Sequence, residues 1–214
     1  MLVTKHAHAC VAISTDEGHL LIDPGVYAPD AAALLAATSA VLLTHEHPDH
    51  VHAEAILADL EARPALRVWG PAAVVGEWVE RFPGQVTVVA PGDAFEAGGL
   101  SVAVNGGLHA VIHPDLPRFV NVGYLVGGRV FHPGDSYEAP GVEVEVLLVP
   151  VSGPWAKLGE AADFVRAVAP ARAVQIHDAM LSEIGIASAT RFLSAGPLVP
   201  VDVEHVAPGE TVEL

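Results

Sequence analysis

The most informative segment of this sequence is Thr44-His45-Glu46-His47-Pro48-Asp49-His50. It directly follows the apolar run at residues 40–43, which predicts a buried strand, and it precedes residues 51–62, whose apolar side chains recur at helical spacing. Pro48 suits the first turn of that helix, because a first-turn residue needs no backbone N–H. The pattern therefore predicts a strand, a loop rich in metal-binding side chains, and a helix.

The side chains of this loop are those that bind transition metals. His45 and His47 can face one point if the loop bends, while Asp49 and His50 can reach a second point nearby. Imidazole and carboxylate ligands suit zinc, iron or manganese, and the ions of two-metal sites lie about 3.5–4 Å apart. Of the 12 histidines in the chain, four fall within residues 45–52. This clustering favours a metal site over a solvated polar loop.

The order His-x-His-x-Asp-His at residues 45–50 resembles the signature of the metallo-β-lactamase superfamily. Asp23, in Leu20-Leu21-Ile22-Asp23-Pro24-Gly25, resembles the first motif of that family. The resemblance covers essentially the whole chain and looks strongest to the branch that includes ascorbate-6-phosphate lactonase-like proteins. It implies an α/β (α+β) fold with four layers, an αββα sandwich. Composition and pattern alone predict only a mixture of helices and strands.

The resemblance also implies a complete ligand set for two metals. It assigns a first metal to His45, His47 and His109, a second to Asp49, His50 and His177, and the bridging position to Asp135.

Other histidines compete for these roles or remain without one. His113 competes with His109, but the loop that begins His113-Pro114 is more typical of a pocket wall. His132 is expected to be structural or to support a ligand, and Asp178 to cap a helix or to support the site. His6 and His8 precede the first strand predicted from the sequence and could lie near the site or on the surface.

The implied activity is hydrolysis of a small ester, lactone or phosphodiester. Two divalent ions would generate a bound hydroxide that Asp49 orients. Zinc is the expected metal, with manganese or iron as alternatives. Asp49 and Asp135 are therefore the expected catalytic carboxylates. Arg118 and His113 are candidates for holding an anionic substrate group, while Trp155, in Gly153-Pro154-Trp155, either lines the pocket or covers the core.

Two other functions stay open. One is a mononuclear iron oxidoreductase of the same fold, of the sulfur-dioxygenase type. The complete second ligand set favours a hydrolase, because a one-metal enzyme does not need that set. His47 also stands where the flavodiiron pattern requires a carboxylate. The other is a metal-binding protein without turnover, which would require a site closed to solvent.

Length and composition restrict the class of protein. The 214 residues predict a single domain, 1–214, with a substantial core. The mean hydropathy of +0.43 is high, yet the longest uncharged apolar stretch, at residues 31–44, is too short to cross a bilayer. No secretory signal is recognisable, and Cys10 has no partner for an intrachain disulfide, so we expect a cytoplasmic protein that does not bind membranes.

The net charge of −16, with only ten Lys and Arg residues, argues against nucleic acid as a partner. We therefore expect a small-molecule substrate, either neutral or carrying one negative charge, and leave a homo-oligomer as one option for the assembly.

The remaining pattern predicts alternating strands and helices. We expect a hairpin at 9–14 and 20–23 with a turn at 16–18, a second hairpin at 120–126 and 129–132 across Gly127-Gly128, and a buried strand at 144–149. Further strands are predicted at 66–69, 86–89, 93–97, 100–105, 108–112, 173–176, 201–206 and 210–214, and further helices at 29–37, 71–81, 160–168 and 181–193.

Overall fold

The computed structural model describes residues 1–16 and 18–214, and its strands form two seven-stranded sheets. The strands of the first sheet are β1 (Leu2–Lys5), β2 (Val11–Ser14), β3 (His19–Ile22), β4 (Ala40–Leu42), β5 (Arg67–Gly70), β6 (Val86–Val88) and β14 (Thr211–Glu213). Those of the second sheet are β7 (Ala94–Ala97), β8 (Leu100–Leu108), β9 (Val120–Val126), β10 (Val130–His132), β11 (Val146–Pro150), β12 (Arg172–Ile176) and β13 (Val203–Glu204). The spatial orders are β14-β1-β2-β3-β4-β5-β6 and β13-β12-β11-β10-β9-β8-β7.

Helices cover the outer face of each sheet. The helices are α1 (Ala31–Ala37), α2 (Ala53–Ala62), α3 (Ala72–Arg81), α4 (Leu158–Val168) and α5 (Glu183–Phe192). Successive strand residues point to opposite faces, so Ile22 and Leu42 pack between the sheets, while Leu21 and Val41 pack against the first three helices. A third cluster joins the second sheet to α4 and α5. The predicted four-layer αββα sandwich is therefore confirmed.

Parallel strands bring distant parts of the chain to one edge of the sandwich. Strands β3, β4 and β5 are parallel to one another, as are β10, β11 and β12. Asp23 follows β3, the loop at 44–50 follows β4, Asp135 follows β10 and His177 follows β12. The Tyr124 hydroxyl of β9 donates to the Leu43 carbonyl at 2.7 Å and ties the two sheets together beside this edge.

Some element predictions are wrong in detail. The break predicted at Gly106-Gly107 is absent, because β8 runs from Leu100 to Leu108 and keeps its register with β9 on both sides of these glycines. Gly106 has a φ of +79°, a conformation that glycine adopts without steric cost, and the strand continues through it. Strand β1 was not predicted. The two final strands do not pair with each other, because β13 joins β12 and β14 joins β1.

The start of α2 also differs from the prediction. Pro48 lies in a tight turn at 48–50, and the helix begins only at Ala53, where the His52 side chain accepts a hydrogen bond from the Ala55 N–H. Glu17, within the turn predicted at 16–18, lies outside the described residues. No helix in the described part of the chain is both long enough and apolar enough to cross a membrane.

Candidate metal centre

Two groups of ligand atoms lie side by side at the carboxyl ends of the parallel strands. Within each group the candidate atoms all lie within 4.8 Å of one another. One group comprises His45, His47, His109 and Asp135, and the other comprises His8, Asp49, His50 and His177. The structure thus brings all seven residues of the predicted ligand set together and adds His8.

The Asp135 carboxylate lies between the two groups. Its Oδ2 atom is 3.3 Å from His109 Nε2 and 3.8 Å from His45 Nε2, and it is also 3.2 Å from His177 Nε2. Its Oδ1 atom is 3.1 Å from His50 Nε2. A carboxylate in this position can contribute one oxygen to each of two neighbouring cations.

Hydrogen bonds on the far side of the rings set which nitrogen of each imidazole faces the cluster. His50 Nδ1 donates to Asp23 Oδ2 at 2.7 Å, which leaves the lone pair on Nε2 directed inward. The same carboxylate accepts from the Thr44 hydroxyl at 2.7 Å and from the Thr44 N–H at 2.9 Å. Because the Thr44 hydroxyl is donating to Asp23, it accepts from His45 Nδ1 at 2.9 Å. Asp23 therefore orients two candidate ligands at once.

His109 is oriented in the same way by the backbone. Its Nδ1 donates to the Ala110 carbonyl at 2.6 Å, so Nε2 faces Asp135 with a free lone pair. The Arg118 guanidinium donates through Nε and Nη2 to the His109 carbonyl at 3.0 and 2.8 Å. These two bonds hold the backbone of a candidate ligand and use two of the five N–H groups of the guanidinium, so the role of Arg118 in holding a substrate anion stays a prediction.

Several buried polar atoms of the cluster have no hydrogen-bond partner. In the described part of the chain these include His50 Nε2, His109 Nε2, His177 Nε2 and Asp135 Oδ1. Such atoms cost free energy when buried without a partner. Although some of them approach each other closely, they lack the geometry of hydrogen bonds. Inward lone pairs without donors are what a metal ion would satisfy, so the residues fit divalent metals.

The electrostatics of the cluster favour added positive charge. Burial lowers the pKa of His45 well below its usual value, and His50 lowers it further. Burial opposes ionisation of Asp135, but His50 and His177 outweigh it and hold the pKa of that carboxyl well below its usual range. Burial also disfavours the protonated form of His50, yet the carboxylates of Asp135 and Asp23 raise its pKa well above the usual value. The buried carboxylates thus stabilise a cation here, and a bound metal ion would meet that requirement.

His8 is part of the second group, but its ring directs an N–H group toward the other members and not a lone pair. The Ala179 N–H donates to His8 Nδ1 at 3.3 Å, so the neutral ring carries its hydrogen on Nε2. Burial lowers the pKa of His8, which keeps the ring neutral near pH 7. His8 Nε2 lies 3.0 Å from Asp49 Oδ2 and therefore donates to that carboxylate. His8 is fully buried, so the surface position considered from the sequence is wrong.

Two glycines allow close approaches of the ligand loops, one to backbone and one to a side chain. A Cβ atom on Gly25 would lie 1.8 Å from the Asp49 carbonyl oxygen. Gly134 has a φ of +61°, and a Cβ atom there would lie 2.2 Å from Asn121 Oδ1. Asn121, buried on β9, accepts from the Asp135 N–H at 2.9 Å and donates to the Pro133 carbonyl at 2.9 Å. These contacts fix Asp135 at the centre of the cluster.

Trp155 is buried against the cluster, whereas His113 lies on the surface. Trp155 is only 5% exposed, and its indole N–H donates to Asp135 Oδ2 at 2.8 Å. Trp155 therefore supports the central carboxylate, and its place in a pocket wall stays a prediction. The His113 side chain is 60% exposed and contacts Asp115 in its own loop. His113 belongs to neither ligand group, which favours His109 as the ligand, and its role in the pocket wall stays a prediction.

Other supporting residues were missed or misjudged from the sequence. Asp178 does not cap a helix; it forms a buried ion pair with Lys5 of β1, next to His177, while Ser182 caps α5. His132 Nε2 donates to the Ala9 carbonyl and Nδ1 accepts from the Gly134 N–H, as expected for a structural histidine. A polar Asn121 inside an apolar strand was a sequence signal for a structural role. No comparable local signal identified the partners of His8 or Trp155.

Comparisons with known proteins identify the family and agree with the fold. The family model described as the beta-lactamase superfamily domain matches residues 2–177. Protein Rv0786c of Mycobacterium tuberculosis is 38% identical over 187 residues, which cover 85% of this chain and 86% of that protein. UPF0173 protein PF0020 of Pyrococcus furiosus is 31% identical over 191 residues, covering 86% of each. The structure of Igni18, a metallo hydrolase from Ignicoccus hospitalis, has the same fold with a TM-score of 0.73 at 18% identity, covering 99% of this chain and 97% of that one.

Proposed function

Because this chain belongs to the beta-lactamase superfamily, we propose that it is a metal-dependent hydrolase of a small ester, lactone or phosphodiester. Two adjoining groups of inward-facing ligand atoms, with Asp135 between them, support this function most directly. Their unpartnered lone pairs and ionised carboxylates are the chemical form that binds divalent metals.

The ligands divide between two ions. The first ion would be held by His45, His47 and His109, the second by Asp49, His50 and His177, and both by Asp135. Imidazole and carboxylate donors without thiolate suit zinc, with manganese or iron as alternatives. His8 is left out of this set because its Nε2 atom already donates to Asp49.

The protein side chains have separate tasks in hydrolysis. When bound, two divalent ions would polarise the substrate carbonyl or phosphoryl oxygen and lower the pKa of a water molecule toward neutrality. Burial opposes ionisation of Asp49, but the neighbouring His177 and the hydrogen bond from His8 hold its pKa well below the usual range. Asp49, whose side chain is 20% exposed, is therefore suited to orienting a water molecule by accepting a hydrogen bond. Asp23 holds the His50 ring in place, and Trp155 holds the Asp135 carboxylate.

Metal analysis of purified protein, combined with a hydrolysis screen, tests this function. Protein prepared without chelator should hold up to two transition-metal ions per chain and should hydrolyse a member of a panel of lactones, thioesters and phosphodiesters. His45→Ala and Asp135→Ala should each lower metal content and activity together, whereas the exposed His113→Ala should keep its metal. Activity that survives complete removal of metal would refute the proposal. Unchanged metal content in Asp135→Ala would remove the bridging assignment.

A further inference from the structure

Lys5 lies on the inward face of strand β1, where an apolar residue would be expected. Val3 and Lys5 are buried and alternate with the less buried Leu2 and Thr4, so both point toward the second sheet. Val3 belongs to the core between the sheets, and Lys5 is only 1% exposed. A lysine is almost never fully buried unless its charge is paired, so this one requires partners within the protein.

The ammonium group of Lys5 bonds to two segments of the second sheet. Its Nζ atom forms an ion pair with the Asp178 carboxylate, which follows β12, and donates to the carbonyl of Val206, which follows β13, at 3.0 Å. His205 Nε2 lies 3.7 Å from the same carboxylate. Because β1 belongs to the first sheet whereas β12 and β13 belong to the second, these contacts connect the two sheets.

Asp178 directly follows the candidate ligand His177, whose backbone has an unfavourable conformation. The φ of His177 is +59°, in the left-handed region that residues other than glycine rarely adopt. Its N–H donates to the His8 carbonyl at 2.9 Å, and its carbonyl accepts from the Ser152 hydroxyl. Such a conformation persists only where the surroundings fix it, and the ion pair with Lys5 fixes the residue that comes next.

An ion pair that is buried this deeply is a weak source of stability. The removal of two charges from water costs about as much free energy as their attraction returns, so an apolar pair of the same size is often as stable. A buried pair does favour one arrangement of the chain, because either charge without its partner is strongly disfavoured. Here that arrangement directs His177 Nε2 at the carboxylates of Asp49 and Asp135, at 3.5 and 3.2 Å.

We propose that Lys5 is a positioning residue for the second metal and acts through Asp178 on the ligand His177. This inference rests on the proposed function, since it concerns one of the two ions which that function requires. The Lys5 side chain bonds to Asp178 and to the Val206 carbonyl, and neither residue belongs to the first ligand group. Loss of the lysine charge should therefore lower the affinity for the second ion and leave the affinity for the first unchanged.

Stepwise zinc titration of the full metal-free chain against a chromophoric chelator tests this inference. Lys5→Met removes the ammonium group and keeps a side chain of similar length. We expect it to lower the affinity for the second ion by about 10- to 100-fold, as is typical when the outer partner of a metal ligand is removed. The absorption spectrum of bound cobalt should change when the second ion is added and stay native for the first.

Two further variants separate positioning from general stability. Val3→Ala, on the same strand and face, removes buried apolar volume without touching the ion pair. It should lower the melting temperature of the metal-free protein and leave the ratio of the two zinc affinities unchanged. The double variant Lys5→Met with Asp178→Asn has no unpaired buried charge, so it should be more stable than Lys5→Met. Its affinity for the second ion should nevertheless stay low, because no ion pair holds the segment after His177.

Three results would overturn the inference and leave the proposed hydrolase in place. One is an unchanged ratio of zinc affinities in Lys5→Met, and another is a ratio in Val3→Ala that falls as far as in Lys5→Met. The third is native affinity for the second ion in the double variant, which decides the question by itself if Lys5→Met does not fold. Native protein that binds no zinc would refute the proposed function and this inference with it.

Discussion

Replacing His8 by glutamine and by alanine separates two ways in which this residue can serve the second metal. His8 lies within the second ligand group, so by position alone it is a candidate ligand. Its hydrogen bonds indicate otherwise, because Nδ1 accepts from Ala179 and Nε2 must then donate to Asp49. Glutamine keeps an N–H donor near the place of Nε2 but is a poor metal ligand, whereas alanine removes the donor altogether. Both replacements meet the same backbone strain at a φ of 59°.

The expected loss follows from the contact that is removed. A hydrogen bond to a charged group contributes about 1.5–3 kcal/mol. The contact between His8 Nε2 and Asp49 Oδ2 is 3.0 Å long, and His8 is fully buried, so little water can replace the donor. If this energy holds Asp49 in the geometry that binds metal, His8→Ala should lower the affinity for the second ion by roughly 10- to 150-fold. His8→Gln should stay within about threefold of the native protein.

Stepwise zinc titration against a chromophoric chelator measures both ions, and the absorption spectrum of bound cobalt reports the ligand geometry. His6→Ala is the matched control, since the His6 ring lies 3.7 Å from Asp30 and belongs to neither ligand group. Affinity for the first ion should stay unchanged in every variant. Equal weakening in His8→Gln and His8→Ala would show that His8 binds the metal directly. No weakening in His8→Ala would show that the hydrogen bond to Asp49 does not contribute.

Three further outcomes are expected. Trp155→Phe keeps an aromatic ring but removes the N–H that donates to Asp135, so metal affinity should fall by about tenfold; Trp78→Phe, on α3, should not change it. His109→Ala should lose metal and activity together while His113→Ala keeps its metal, and the reverse result would exchange their roles. Removal of metal with a chelator should lower the melting temperature by roughly 5–10 °C if free metal was at about a hundred times its Kd. Zinc should restore the melting temperature, and an unchanged value on chelation would contradict binding to the folded state.

The local sequence was sufficient to predict the part of the site that lies within one continuous segment. The residues at 44–50 lie on one loop after one strand, so their order predicts both the loop and most of its ligands. The hairpin across Gly127-Gly128 was predicted for the same reason, since two consecutive residues with positive φ define its turn. The layers of the sandwich and the places of His109, Asp135 and His177 came from the family resemblance. No local pattern implied them.

Tertiary structure alone decided how the ligands are supported. His8 meets Asp49 across 41 residues of sequence and Ala179 across 171, and Trp155 meets Asp135 across 20. The local sequence around each of these residues is compatible with many tertiary environments. A histidine before a strand or a tryptophan after one therefore does not indicate which residue it will contact. The partners are set by parallel strands whose carboxyl ends converge at one edge of two packed sheets. Contacts of this kind depend on the packing of the whole chain, and a sequence read segment by segment does not contain them.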